Sequence, residues 1–139
     1  MKVVIDTNVL ISSIGKNSPY RKLFDCLLNG SIELQLSNDI FWEYKEILSK
    51  KTNSEIAKNF TALLTILPNV NFINVYFKWK LIDNDPDDNK FVDCYLSSNS
   101  DFLITEDNHF EILNYLEFPR INVIRTKEFL ENIIDVNID

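Results

Sequence analysis

Carboxylates are the one chemically versatile group this chain has in quantity: 21 Asp and Glu against one His and two Cys. Cys26 and Cys94 are too far apart for a CxxC pair, and His109 has no second His or Cys at metal-ligand spacing. Four acids stand out because each sits at the edge of an apolar run. Asp6 closes VVID, Glu43 interrupts FWEYKEIL, Asp88 opens DDNKFVDCYL, and Asp107 follows FLIT by two residues. Acids crowded together repel, and their pKa values rise unless a cation relieves them. Oxygen donors without Cys or His suit Mg²⁺ or Mn²⁺. Such a centre can bridge a phosphate, activate water and stabilise a leaving oxygen, so no histidine base is required. His109 is accordingly expected at the surface, at a helix end.

The elements that would have to position these acids can be read from periodicity. Residues 2–6 form a short unalternated β-branched run, as expected of a buried strand in a parallel sheet. SPYRKLFDCLLNG then reads as a helix capped by Ser18, with Pro19 in its first turn and Gly30 closing it. Residues 32–36 alternate as a strand, and Ser37 caps a helix carrying Phe41, Tyr44, Ile47 and Leu48. Thr52 and Glu55 have capping-box spacing for a further helix that stops near Pro68. Residues 70–77 give a third strand, and residues 83–89 a polar break. A helix with Phe91, Val92 and Tyr95 follows, then a strand at 102–105, a helix with Phe110 to Leu116, a strand at 122–124, and a last helix capped by Thr126. Strands alternating with helices predict an α/β domain with parallel strands. In such a sheet ligands bind at the carboxyl ends of the strands, where strand order reverses. Asp6 and Asp107 then share one rim. Glu43 lies on the apolar row Ile40–Glu43–Ile47, and Asp88 begins the face of Phe91, Val92 and Tyr95 that packs on the sheet.

Composition narrows the class. With 139 residues, 45% hydrophobic and 25% charged, the chain fits one globular domain, residues 1–139, rather than a disordered tail or fibre. Two Gly and four Pro are too few for a loop-rich sandwich. No apolar run approaches the ~20 residues of a membrane span, and MKVVIDTN is not a signal peptide. A cytoplasmic protein is expected. The net charge of −7 argues against a sequence-reading DNA-binding module. It does not exclude an enzyme whose acids hold divalent cations.

Each acid also has a plain reading. Asp6 would serve as a strand-end turn residue, Glu43 as a solvated helix residue paired with Lys50, and Asp88 as an acid favoured by a helix dipole. Asp107 would serve as a helix cap, a role compatible with metal binding. The run Asp83, Asp85, Asp87 imitates a calcium loop but has Asp88 where Gly is needed and Cys94 where a bidentate Glu is needed. DTNVL is similar to the aspartyl-phosphate motif DxDxT, with Asn8 in place of the second acid. Lys16, Arg21, Lys22 and Lys90 are candidates for phosphate contact or a solvated face.

Taken in order, DTNVLI, FWEYKEIL, DPDDNKFVDCYL and FLITED resemble the PIN domain family over nearly the whole chain, to about residue 134. The nearest branch is that of toxin components of toxin–antitoxin systems, the VapC-like ribonucleases. The resemblance implies a three-layer α/β/α sandwich around a parallel sheet of about five strands. It implies an endoribonuclease that uses Mg²⁺ or Mn²⁺ to hydrolyse RNA to 5′-phosphate and 3′-hydroxyl ends. Its metal-binding and catalytic acids fall on Asp6, Glu43, Asp88 and Asp107, and its ligand-orienting positions on Asn8 and Thr105. The implied partners are RNA and an antitoxin protein with a basic segment, with no membrane and with room for a homodimer. Tyr95 stands where the family has Ala, a packing change. Asp85, Asp87 and Asp93 are surplus acids. Asp93 lies about 140° around the helix from Asp88 at ~100° per residue, while Asp85 and Asp87 stay within reach through the loop. The other readings are a non-catalytic PIN-like module that binds RNA or protein, and a small phosphatase or phosphoacceptor domain that uses Asp6 covalently.

Overall fold

The computed structural model describes residues 1–83 and 85–137; position 84 of the polar break and positions 138–139 lie outside them. Five parallel strands form one sheet: β1 (Lys2–Ile5), β2 (Glu33–Leu36), β3 (Val70–Phe72), β4 (Phe102–Ile104) and β5 (Val123–Ile124), in the order β3-β2-β1-β4-β5. The α/β expectation is met. Successive strand residues face opposite sides, yet Val3, Val4 and Ile5 are all fully buried, so both faces of the central strand are covered. The covering helices are α1 (Thr7–Ser13), α2 (Arg21–Asn29), α3 (Asn38–Lys51), α4 (Ser54–Ile66), α5 (Asn89–Ser98) and α6 (Thr126–Glu128), the last continuing as a π-helical stretch over Phe129–Ile134.

Strand order places the rim that matters. The chain leaves β1 toward β2 and β3 on one side, then returns to add β4 and β5 on the other. The reversal lies between β1 and β4, where a crevice opens at the strands' carboxyl ends. Register pairs Ile5 with Ile104, and the Asp6 amide donates to the Ile104 carbonyl at 2.9 Å. The residues that follow each strand, Asp6 and Thr105, are therefore neighbours.

Several boundaries differ from the sequence expectation, each for a local reason. Helix α1 is not anticipated by periodicity, because its seven residues are too few to display a period. Asp6 nucleates it by accepting from the Thr7 amide. Ser18 caps its own turn, accepting from the Tyr20 amide, and α2 begins only at Arg21. Asn53, rather than Thr52, caps α4 through the Ile56 amide. Strand β3 stops at Phe72 instead of residue 77. The segment beyond it is held by side chains: Asp93 accepts from the Trp79 amide at 3.0 Å, and Asn89 exchanges two hydrogen bonds with the backbone of Ile82. The expected helix over Phe110 and Leu113 is a 3₁₀ segment, Asn108–Tyr115, with both residues buried. Gly30 closes α2 at φ 83°, a left-handed position that favours glycine, and Ser37 caps α3 as expected.

One buried contact fixes α3 against the rim. Tyr44 is fully buried, and its hydroxyl donates to the Ile5 carbonyl at 2.5 Å, at the last residue of β1. Glu43 precedes it and is thereby delivered beside Asp6. Removing the hydroxyl leaves a buried carbonyl without that donor. Tyr44→Phe should lower stability by about 1–2 kcal/mol, measured by urea unfolding. An unchanged midpoint would mean that water replaces the contact.

Candidate metal centre

Thr7, Thr105, Lys90 and His109 join the four acids in one run of contacts across the switch point. Asp6 is the pivot. Its Oδ1 accepts from the Thr7 amide at 2.8 Å and its Oδ2 from the Thr105 hydroxyl at 2.7 Å. The Thr7 hydroxyl donates to Glu43 Oε2, and Lys90 Nζ sits 2.6 Å from Glu43 Oε1. On the other side, Thr105 Oγ1 accepts from the Asp107 amide at 3.0 Å, and Asp107 Oδ1 accepts from the His109 amide at 2.9 Å. His109 Nδ1 lies 3.5 Å from Asp107 Oδ1 and 3.9 Å from Asp88 Oδ2. Thr105 is buried and Asp6 nearly so, while Asp107 and His109 open to solvent.

The electrostatics are those of an under-neutralised cluster. Burial raises the pKa of Asp6 against the opposing pull of its Thr105 and Thr7 hydrogen bonds, and the charges of Asp107 and Glu43 raise it further. Asp88 is pushed up to about 7, first by burial and then by the charges of Asp85, Asp6 and Asp107, with His109 opposing. Asp88 Oδ2 is closed off from solvent and has no hydrogen-bond partner among the described residues. A buried acceptor in that condition is costly, and a bound cation is one of the few groups that would satisfy it while cancelling the repulsion. The donor set fits a hard divalent ion.

The structure thus brings Asp6, Glu43, Asp88, Asp107 and Thr105 to one rim. Asn8 is elsewhere: it is exposed and its Oδ1 accepts from Lys51 Nζ at 3.4 Å, while Thr7 takes the place between Asp6 and Glu43. Lys50 pairs with Glu46, and Glu43 with Lys90. Of the four cations considered for phosphate contact, Lys90 is at the site. Arg21 pairs with Asp25, and Lys22 with Asp135. Asp93 holds the Trp79 backbone, and Asp87 is exposed. Two participants are missing from the sequence reading. Thr7 lies inside the quoted DTN but counts there only as a neighbour of Asp6. His109, expected as a surface residue without a partner, stands between two acids of the site. Its offset of two from Asp107, in a turn that Asp107 caps, is the signal that was available.

The PIN domain model matches residues 2–109, a span that contains all of these groups. The chain belongs to the PIN domain family. Two solved structures share its fold. VapBC2 from Rickettsia felis, bound to a DNA fragment from its promoter, superposes with a TM-score of 0.61 at 17% identity, over 90% of this chain and 98% of that one. VapBC-1 from nontypeable Haemophilus influenzae gives 0.63 at 20% identity, over 91% and 99%. Among curated proteins none matches.

In this PIN domain the raised Asp88 makes stability depend on pH. Its carboxyl titrates near 3.8 when unfolded and at about 7 when folded, so between those values the folded state binds more protons. Metal-free stability therefore falls as pH rises through that window. Asp88→Asn abolishes the loss and should make the protein more stable than its parent at pH 8 by on the order of 1–3 kcal/mol, measured by urea unfolding in EDTA. A parent equally stable at pH 5 and pH 8 would contradict the charge assignment.

Proposed function

We propose that this PIN domain is a divalent-metal-dependent endoribonuclease and the toxin half of a toxin–antitoxin pair. The observation that carries the reading is the buried Asp88 Oδ2, without a hydrogen-bond partner among the described residues, on a rim with Asp6, Glu43 and Asp107. Those four carboxylates would hold Mg²⁺ or Mn²⁺. When bound, the ion supplies Lewis-acid polarisation of a phosphodiester and a lowered pKa for water. The residues do the positioning. Thr105 and the Thr7 amide fix both oxygens of Asp6, the Thr105 hydroxyl also aligns the Asp107 backbone, and Thr7 steers Glu43. Lys90 neutralises Glu43 and is the nearest cation to meet an RNA phosphate at the rim. A phosphoacceptor role for Asp6 has less support, because Asn8 faces Lys51 and offers no acid or base to it. No helix among the described residues is long and apolar enough to cross a membrane.

A ribonuclease of this kind needs restraint in its own cell, and the likeness to two VapBC structures supports an antitoxin as the means. The acidic rim and the net charge of −7 call for a partner segment bearing Arg or Lys. A guanidinium pairs bidentately with a carboxylate such as Asp88 or Asp107.

RNA should be cut in Mg²⁺ or Mn²⁺ and spared in EDTA. Asp6→Ala should lower the rate at least ~100-fold, and Thr105→Val about 10-fold, through loss of the group that orients the ligands. Cleavage that survives EDTA, or that is unaffected by Asp6→Ala, would overturn the reading. For the partner, co-expression with the product of the adjacent gene should yield a complex that Asp88→Asn weakens. A neighbour lacking basic residues would remove the toxin assignment and leave the nuclease.

A further inference from the structure

The acids required by the proposed nuclease are all oxygen donors, but one face of the rim carries a nitrogen. Asp85, Asp88 and His109 each offer a ligand atom, and the three atoms lie within 4.8 Å of one another. Donors that share one ion at bond lengths of roughly 2.0–2.3 Å stand about 3–4.5 Å apart. His109 Nδ1, at 3.9 Å from Asp88 Oδ2, is already in that range. The Asp88 oxygen it approaches is the one sealed from solvent without a hydrogen-bond partner, while the His109 side chain is 47% exposed. One donor is thus waiting at the floor and another is open to the entry path.

Local structure holds the three in place from two sides. Asp85 caps the 3₁₀ turn Pro86–Asp88 by accepting from the Asp87 amide, which sets Asp88 three residues further round. His109 is fixed from the opposite side by its own amide on Asp107, within the turn that follows β4. Asp85 and His109 therefore reach one place from two segments distant in sequence.

We propose that Asp85, Asp88 and His109 form a transition-metal position at the outer edge of the centre. The imidazole selects Mn²⁺ and the later divalent metals over Mg²⁺. The basis is donor chemistry: imidazole adds affinity along the series from Mn²⁺ to Co²⁺ and Ni²⁺, whereas Mg²⁺ prefers carboxylate and water oxygen. The inference rests on the nuclease reading through the shared Asp88 and through Asp107, which anchors the His109 amide.

The test is metal binding, with Co²⁺ and Mg²⁺ as probes and the full chain as the protein. Co²⁺ bound through imidazole gives visible d–d absorption, and Mn²⁺ so bound shows ¹⁴N modulation in pulsed EPR. His109→Gln should abolish the ¹⁴N signal and weaken Co²⁺ at least ~10-fold, while the Mg²⁺ affinity changes by less than about twofold. Asp85→Asn should weaken Co²⁺ while keeping the ¹⁴N signal, a result that global misfolding would not give. Co²⁺ and Mg²⁺ affinities that fall together, or an unchanged ¹⁴N signal in His109→Gln, would overturn the selectivity role. Asp6→Asn separates this from the nuclease reading. If it removes Mg²⁺ binding while His109→Gln has no effect on Co²⁺, the nuclease centre stands and this position does not.

Discussion

The hydroxyl of Thr105 is the contact on which the rim depends. It donates to Asp6 and accepts from the Asp107 backbone, so a single buried oxygen ties the end of β1 to the turn after β4. The contact exists because parallel register pairs Ile5 with Ile104, which brings the next residue of each strand level. Asp6 thus has each oxygen assigned before any ligand arrives, one to Thr105 and one to the first amide of α1. A carboxylate held this way can act at a fixed point without the loss of side-chain freedom that an exposed Asp would incur on binding.

The same constraint explains what the rest of the fold contributes. Tyr44 joins α3 to the last carbonyl of β1, and its neighbour Glu43 reaches Asp6 through Thr7. Helix α5 begins where Asp88 ends a 3₁₀ turn, and Asn89 and Asp93 on that helix secure the irregular segment after β3. Part of the repulsion is answered within the protein, with Lys90 on Glu43 and His109 between Asp88 and Asp107. Much of the remainder falls on Asp88, whose carboxyl titrates at about 7 and whose Oδ2 has no hydrogen-bond partner among the described residues. Asp6 is raised beside it, and carboxyls perturbed together on one rim are a pattern characteristic of a binding site.

Much of this was legible in the sequence because it follows from strand ends. VVID and FLIT announce buried parallel strands, and the acids just beyond them must share a rim once strand order is that of a switch point. Glu43 was legible as a carboxylate breaking an apolar row. What was hidden depends on contacts between segments distant in sequence. Helix α1 is too short to show a period. The early end of β3 is set by side chains of α5 rather than by its own residues. Asn8 was expected to orient a ligand, yet α1 carries it toward Lys51 and leaves that place to Thr7. His109 has no His or Cys companion in the sequence, because its companions are the carboxylates of Asp88 and Asp107.

Crystals soaked in Mn²⁺ and measured at a wavelength that shows its anomalous scattering would test the central claim most directly. An anomalous peak is expected among the carboxylates of Asp6, Asp88 and Asp107, with Asp88 Oδ2 in its coordination sphere. A well-ordered rim with no peak at millimolar Mn²⁺, and with Asp88 Oδ2 hydrogen-bonded to protein or water instead, would contradict it.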